Sequence, residues 1–99
     1  MVKHIVMWKL LDSYSEAEKQ EIKSVYKEKI EALSDLMDGV LKVKIEINAL
    51  ATSNVDILLD SEFANQDVFN AYRTHPKHLE AASYLNGKIV SRNAMDYEI

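Results

Sequence analysis

The chain has 99 residues, no cysteine, and twelve basic against sixteen acidic residues, for a net charge of −4. The lack of cysteine excludes disulfides, thiolate catalysis and zinc–thiolate sites, and is typical of a reducing compartment. The scattered charges form neither the basic stripe that binds nucleic acid nor the polybasic cluster that binds an anionic membrane. No apolar run reaches the length of a membrane span or a signal-peptide core. We therefore expect a cytoplasmic protein with no nucleic-acid or membrane partner.

The length predicts one domain over residues 1–99. A chain this short buries a modest share of its unfolded surface, and disulfides cannot add to its stability. Association with a second copy is the remaining route to extra burial, so we expect a homodimer.

The first half of the chain predicts a strand and a helix. Residues 2–10 alternate as a strand does, with apolar residues at the centre of both faces. Overlapping capping boxes at Ser13–Glu16 and Ser15–Glu18 begin a helix with an apolar stripe from Ile22 to Met37. We expect this helix to fade over residues 34–39, where a left-handed glycine can end it.

A hairpin follows. Residues 40–50 alternate, with Leu41, Val43 and Ile45 expected on one face, and residues 55–63 alternate again. The polar cluster at 52–54 predicts a short turn between two antiparallel strands.

The second helical region is predicted to be interrupted. Asn65 suits the N-cap of a helix that runs to about Arg73. Thr74–Pro76 breaks this helix, because proline fits the first turn of a helix and not its interior. A further helix over about residues 76–86 would then place three apolar residues inward: Leu79, Ala82 and Leu85.

A last strand over residues 89–99 completes the order strand, helix, strand, strand, helix, strand. This order predicts an α+β, ferredoxin-like βαββαβ fold. Both helical regions would cover one face of a four-stranded antiparallel sheet, leaving the other face bare. Because Ile5, Met7 and Leu58 would lie on that bare face, we expect a second copy to cover it.

Three segments stand out: the opening Val2–Val6, the stretch Tyr72–His78, which reads Tyr-Arg-Thr-His-Pro-Lys-His, and the closing Met95–Glu98. Together they resemble the stress-responsive A/B barrel (Dabb) family of the dimeric α+β barrel superfamily. The resemblance covers essentially the whole chain. It implies a ferredoxin-like protomer and a homodimer in which two sheets face each other as a closed barrel.

The resemblance also implies a candidate site. Some plant members of the family are implicated in stress tolerance, and one branch consists of polyketide cyclases. These use a Tyr and a His in a cavity between sheet and helices to drive an aldol-type ring closure without metal or cofactor. The residues in matching positions are Tyr72 and His78, with His4 on the first strand and His75 as the other motif histidine.

Each of these residues also has a structural interpretation. His4 could be a buried histidine that locks a helix onto the sheet, and His75 could cap the helix that follows it. A bond between Tyr72 and His78 could stiffen the helix junction.

Two functions from different classes follow. The first is a homodimer that binds a small hydrophobic or aromatic ligand through His4, Tyr72, His75 and His78. The second is a cofactor-independent cyclase, lyase or isomerase, with His78 as general base and Tyr72 as donor to a developing oxyanion.

We expect no metal and no cofactor. His4, His75 and His78 could supply three nitrogen ligands, but Pro76 and capping by His75 disfavour that geometry. The superfamily also contains haem-degrading monooxygenases, to which no specific residue here corresponds.

Overall fold

The computed structural model describes residues 1–99 and contains four strands and three helices. In chain order these are β1 (Val2–Leu10), α1 (Glu16–Glu31), β2 (Val40–Glu46), β3 (Ile57–Phe63), α2 (Gln66–Thr74), α3 (Pro76–Ser83) and β4 (Ile89–Glu98). No helix is both long enough and apolar enough to cross a lipid bilayer.

The strands form one antiparallel sheet in the order β2-β3-β1-β4. β1 is central, and its Val2 lies opposite Phe63 of β3 on one side and Glu98 of β4 on the other. Interrupted by one bend, α2 and α3 together take the place of the second crossover helix. The predicted ferredoxin-like α+β fold is confirmed.

The core lies between one face of the sheet and the helices. Alternate residues of β1 are buried there, among them Val6, Trp8 and Leu10, as the alternation of strand side chains requires. The predicted stripe of α1 packs onto them through Ile22, Tyr26 and Ile30, which are the three buried residues of this helix. The other face of β1 is half-buried, because no helix covers that side of the sheet.

The helix α1 begins at the second of the two predicted capping boxes. The Ser15 hydroxyl accepts the Glu18 amide N–H at 3.1 Å, and the Glu18 carboxylate accepts the Ser15 amide N–H at 2.8 Å. The helix ends earlier than predicted, at Glu31, and turns occupy residues 32–39. Gly39 has the expected positive φ of 94°, but it leads into β2 and does not end the helix.

The hairpin differs from the prediction at its bulge and its turn. The register shifts between Val40 and Lys42, so Leu41 lies in a bulge and is 52% exposed instead of facing the core with Val43. β2 ends at Glu46 and β3 begins at Ile57, so the connection spans residues 47–56, and the prediction of a short turn at 52–54 was wrong. At its end the Asp56 carboxylate bonds to β1 by accepting the Leu10 amide N–H at 2.7 Å.

The interrupted second helical region is confirmed. The Asn65 side chain accepts the Val68 amide N–H at 2.9 Å and caps α2. Of the three positions predicted to face inward here, Leu85 is buried and Ala82 is half-buried, but the prediction for Leu79 was wrong; Ala81 is the buried residue of α3. Leu79 is 55% exposed, because α3 covers only part of the space between the helices and β4.

Candidate functional site: a cleft between the helices and β4

A half-open cleft of about 1110 Å³ lies between the helices and the β1–β4 side of the sheet. It exists because the helices pack over β2 and β3, whereas β4 pairs only with β1 and remains exposed from Arg92 to Glu98. Ligand pockets usually measure about 300–1,000 Å³, so the cleft is large enough for a drug-sized molecule.

About half of the residues that line the cleft are apolar and the rest are polar or charged. Apolar side chains come from β1, β3, α1 and α2, among other elements, and include Val6, Trp8, Ile30, Leu59 and Phe69. Polar side chains come from β1, α2, α3 and β4, and include His4, Arg73, His78, Arg92 and Asp96. Such a mixed lining suits a molecule that has both an apolar body and polar groups.

His78 lies on the helix side of the cleft with one ring nitrogen bonded inside the protein. Its Nδ1 is 3.0 Å from the Arg73 carbonyl oxygen. A carbonyl oxygen can only accept, so Nδ1 carries the proton. Burial lowers the pKa of the His78 imidazole, and the nearby His4 and Arg92 lower it further, against a raising effect of the Arg73 carbonyl. At neutral pH the ring is therefore uncharged, with its lone pair on Nε2.

His4 lies on the sheet side of the same cleft. It is 8% exposed, and its Nδ1 bonds to the Asp96 carboxylate of β4, which lies directly opposite in the strand pairing. Its ring packs on Phe69 with a centroid distance of 4.8 Å. The carboxylate accepts the Nδ1 proton, so Nε2 is again the nitrogen without a protein partner. His4 is therefore a buried, hydrogen-bonded histidine and at the same time a residue of the cleft lining.

Tyr72 is placed behind His78. Its ring is 1% exposed and packs against His78 and Phe63, with centroid distances of 4.8 and 4.9 Å. Its hydroxyl is buried without a hydrogen-bond partner, and burial raises the pKa of Tyr72 to about 12. The lining of the cleft does not include Tyr72, so it contacts the site through the His78 ring.

His75 lies outside the cleft lining and caps α3. Its Nδ1 accepts the Lys77 amide N–H at 3.1 Å, and Pro76 occupies the first turn, as the structural interpretation of this motif predicted. The structure thus brings His4 and His78 to one cleft and sets His75 apart. No group of three or more histidine, aspartate or glutamate side chains is close enough to hold a metal ion.

Asp96 and Arg92 were not among the site residues predicted from the sequence. Both alternate with Ala94 on the side of β4 that faces the helices, in register with buried residues of β1. Once β4 is paired with β1, this alternation identifies them. That β4 pairs with β1 cannot be read from the alternation within β4 alone, so the strand pattern did not identify these two residues.

Comparisons with known proteins agree with this architecture. The family model of the Stress Responsive A/B Barrel Domain matches residues 2–99. A dimeric protein of unknown function with a ferredoxin-like fold from Bacteroides fragilis is 38% identical, with a TM-score of 0.91 over 99% of this chain and 95% of that chain. No functionally curated protein matches the sequence.

Two more distant structures share the fold. A Dabb family protein from Mesorhizobium loti is 19% identical, with a TM-score of 0.69 over 99% of this chain and 95% of that chain. A hydroxynitrile lyase from Passiflora edulis is 17% identical, with a TM-score of 0.73 over 99% of this chain and 92% of that chain. The match of the family model to nearly the whole chain decides the assignment: the chain belongs to the stress responsive A/B barrel family.

Proposed function

We propose that the protein binds a small hydrophobic or aromatic ligand in the cleft between the sheet and the helices. One observation carries the proposal. His4 and His78 line a cleft that also carries apolar side chains, and each bonds inside the protein through Nδ1, which leaves Nε2 without a protein partner. A polar group of the ligand can bond to these nitrogens while its apolar body contacts Trp8 and Phe69. His75 and Tyr72 support this site from outside the lining, the first by capping α3 and the second by packing on His78.

The proposal is tested by thermal denaturation with a panel of aromatic aldehydes, ketones and phenols. A ligand that binds only the folded protein raises Tm in proportion to the logarithm of its concentration above Kd. The wild type should respond to at least one of these classes, and His78→Ala should lose most of the response. His75→Asn, which keeps a capping side chain outside the cleft, serves as the matched control. A flat response of the wild type to every compound would refute the binding function.

A second candidate is a cofactor-independent enzyme that acts next to a carbonyl group. The observation that favours it is the uncharged His78, whose Nε2 can take a proton from carbon. The C–H electron pair would move to form an enolate, and the enolate carbon would attack a second carbonyl of the same molecule. His78 would then return its proton to the new alkoxide. One fold neighbour is a hydroxynitrile lyase from Passiflora edulis.

In this enzyme His78 is the base and His4, held by Asp96, is the second polar group at the reacting centre. Tyr72 was expected to donate to the oxyanion, but its hydroxyl is shut off from the cleft, so we assign it the positioning of the His78 ring. The test is exchange of the α-protons of phenylacetone with deuterium, followed by NMR. Faster exchange with the wild type, lost in His78→Ala and retained in His75→Asn, is the expected result for an enzyme. If the wild type does not raise the exchange rate above that of buffer, the enzyme hypothesis fails and only the binding function remains.

We further propose that the protein is a homodimer through the face of the sheet that the helices do not cover, here called the open face. Its apolar residues Ile5, Met7 and Leu58 are half-buried, and Met95 is 66% exposed. Beside them lies an ionic group in which Lys3 and Lys42 each contact Asp60 at 2.7 Å. An apolar centre with a polar rim is typical of protein interfaces, and the Bacteroides fragilis relative is described as dimeric. The cytoplasm remains the proposed compartment, on the strength of the cysteine-free composition.

A further inference from the structure

We infer that Arg92 and Tyr26 form an anion-binding position at one end of the cleft, and that the ligand is an aromatic or apolar carboxylic acid whose carboxylate binds there. The inference rests on the proposed binding function and names the class of ligand.

The register of the sheet directs Arg92 into the cleft. Arg92 of β4 lies directly opposite Trp8 of β1, and directly opposite residues of an antiparallel pair project from the same face. Trp8 is buried on the side of the sheet that the helices cover. Tyr26 of α1 meets the Trp8 ring edge-on, with a centroid distance of 5.2 Å, and both Arg92 and Tyr26 line the cleft.

Both side chains have hydrogen-bond donors with no partner in the protein. The Arg92 guanidinium forms no ion pair, and neither it nor the Tyr26 hydroxyl makes a hydrogen bond. Arg73, the other arginine of the cleft, differs, since its Nε donates to Asn70 at 3.1 Å and its guanidinium lies over Phe69. Burial raises the pKa of Tyr26 and lowers the pKa of His78, and the positive charge of Arg92 makes a smaller, lowering contribution to both, as a cation on the same side of the sheet does.

The remaining β4 residues explain why the carboxylate would bind at this end. Ala94, Asp96 and Glu98 follow Arg92 at every second position along the cleft. Arg92 and Asp96 are separated by four residues, or roughly 14 Å of strand. The carboxylate of Asp96 faces His4, and an anion near it or near Glu98 would be repelled. The small side chain of Ala94 leaves room for an apolar body between the two ends.

Isothermal titration with 2-naphthoate and its uncharged amide, 2-naphthamide, tests the inference. A guanidinium binds a carboxylate through strong, charge-assisted hydrogen bonds, so the wild type should bind the acid at least about tenfold more tightly than the amide. Arg92→Gln should abolish this preference while it leaves the affinity for the amide within about twofold. Lys88→Gln removes the same charge near the same end of β4, outside the lining, and should keep the preference.

Equal affinity of the wild type for acid and amide would overturn the anion-binding position and leave the binding function standing. Preference retained in Arg92→Gln would likewise overturn it. Binding of neither compound would count against both the anion-binding position and the proposed binding function.

Discussion

The His78 imidazole bonds to the Arg73 carbonyl oxygen, a position that a continuous helix would give to the Lys77 amide N–H. Pro76 breaks the helix between them, and the Lys77 N–H donates to the His75 side chain instead. The Arg73 carbonyl is thereby free to fix the proton of His78 on Nδ1. The two motif histidines are therefore linked: His75 accepts the Lys77 N–H in place of the Arg73 carbonyl, and His78 donates to that carbonyl instead.

The cap formed by His75 gives a first prediction. His75→Ala leaves the Lys77 N–H without its side-chain acceptor and should lower the free energy of unfolding by about 1 kcal/mol, the usual cost of losing an N-cap. His75→Asn should retain most of the stability, because asparagine is a good N-cap. Urea denaturation of both variants measures the difference, and equal losses in the two would contradict the capping role.

The depressed pKa of His78 predicts how stability depends on pH. In the unfolded chain His78 titrates near its ordinary value of 6.5, whereas in the folded protein burial keeps its pKa lower. Between these two values the unfolded chain binds more protons, so this group makes the folded protein less stable as pH falls from about 6.5 towards the folded pKa. His78→Gln should flatten that part of the curve. Urea denaturation at several pH values checks it, and an unchanged slope in the variant would be inconsistent with the lowered pKa.

Two glycines allow the cost of backbone strain to be separated from the cost of a side-chain clash. Gly39 and Gly87 both have positive φ, at 94° and 77°. A Cβ on Gly39 would lie 2.8 Å from Val68 Cγ2, whereas a Cβ on Gly87 would meet nothing within 4 Å. Gly87→Ala should therefore cost about 1 kcal/mol of strain, and Gly39→Ala should cost roughly 1–3 kcal/mol more, because it also displaces Val68.

The measurement for the glycines is again the free energy of unfolding in urea. Val68→Ala in the Gly39→Ala background should recover part of the loss, since it removes the clashing methyl groups. Equal destabilisation by the two glycine substitutions would show that contact with Val68 is unimportant.

The open face predicts how the protein assembles. Met95→Asp places a charge among Ile5, Met7 and Leu58 and should convert the dimer to a monomer at micromolar concentration. Ala17→Asp adds the same charge on the exposed side of α1 and should leave the dimer intact. Light scattering during gel filtration gives the mass directly. A dimer that persists in Met95→Asp would place the interface elsewhere.

Local patterns predicted the elements well because each depends on neighbours in sequence. The Ser15–Glu18 capping box, the stripe of α1 and the break at Pro76 all occur as expected. The errors have tertiary causes. The bulge at Leu41 depends on how β2 pairs with β3, and β3 starts late because Asp56 bonds to β1.

For the candidate site too, residues with a local sequence signal were predicted, and residues whose role depends on tertiary contacts were not. The motif identified His78 and His4, and the strand pattern directed His4 inward. Asp96 and Arg92 could not be assigned from β4 alone, because its alternation gains meaning only beside Val2–Leu10 of β1. The exclusion of Tyr72 from the cleft lining depends on the packing of its ring between Phe63 and His78, which no spacing reveals.

The central claim is that His78 presents an unprotonated Nε2 to the cleft because its Nδ1 proton is held by Arg73. Long-range ¹H–¹⁵N correlation NMR of the histidine side chains at pH 7.5 tests this directly, with His78→Gln used to assign the signals. We expect a neutral His78 ring with its proton on Nδ1 and an unprotonated Nε2. A proton found on Nε2, or a doubly protonated ring, would contradict it, because no lone pair would then be available to a ligand or a substrate.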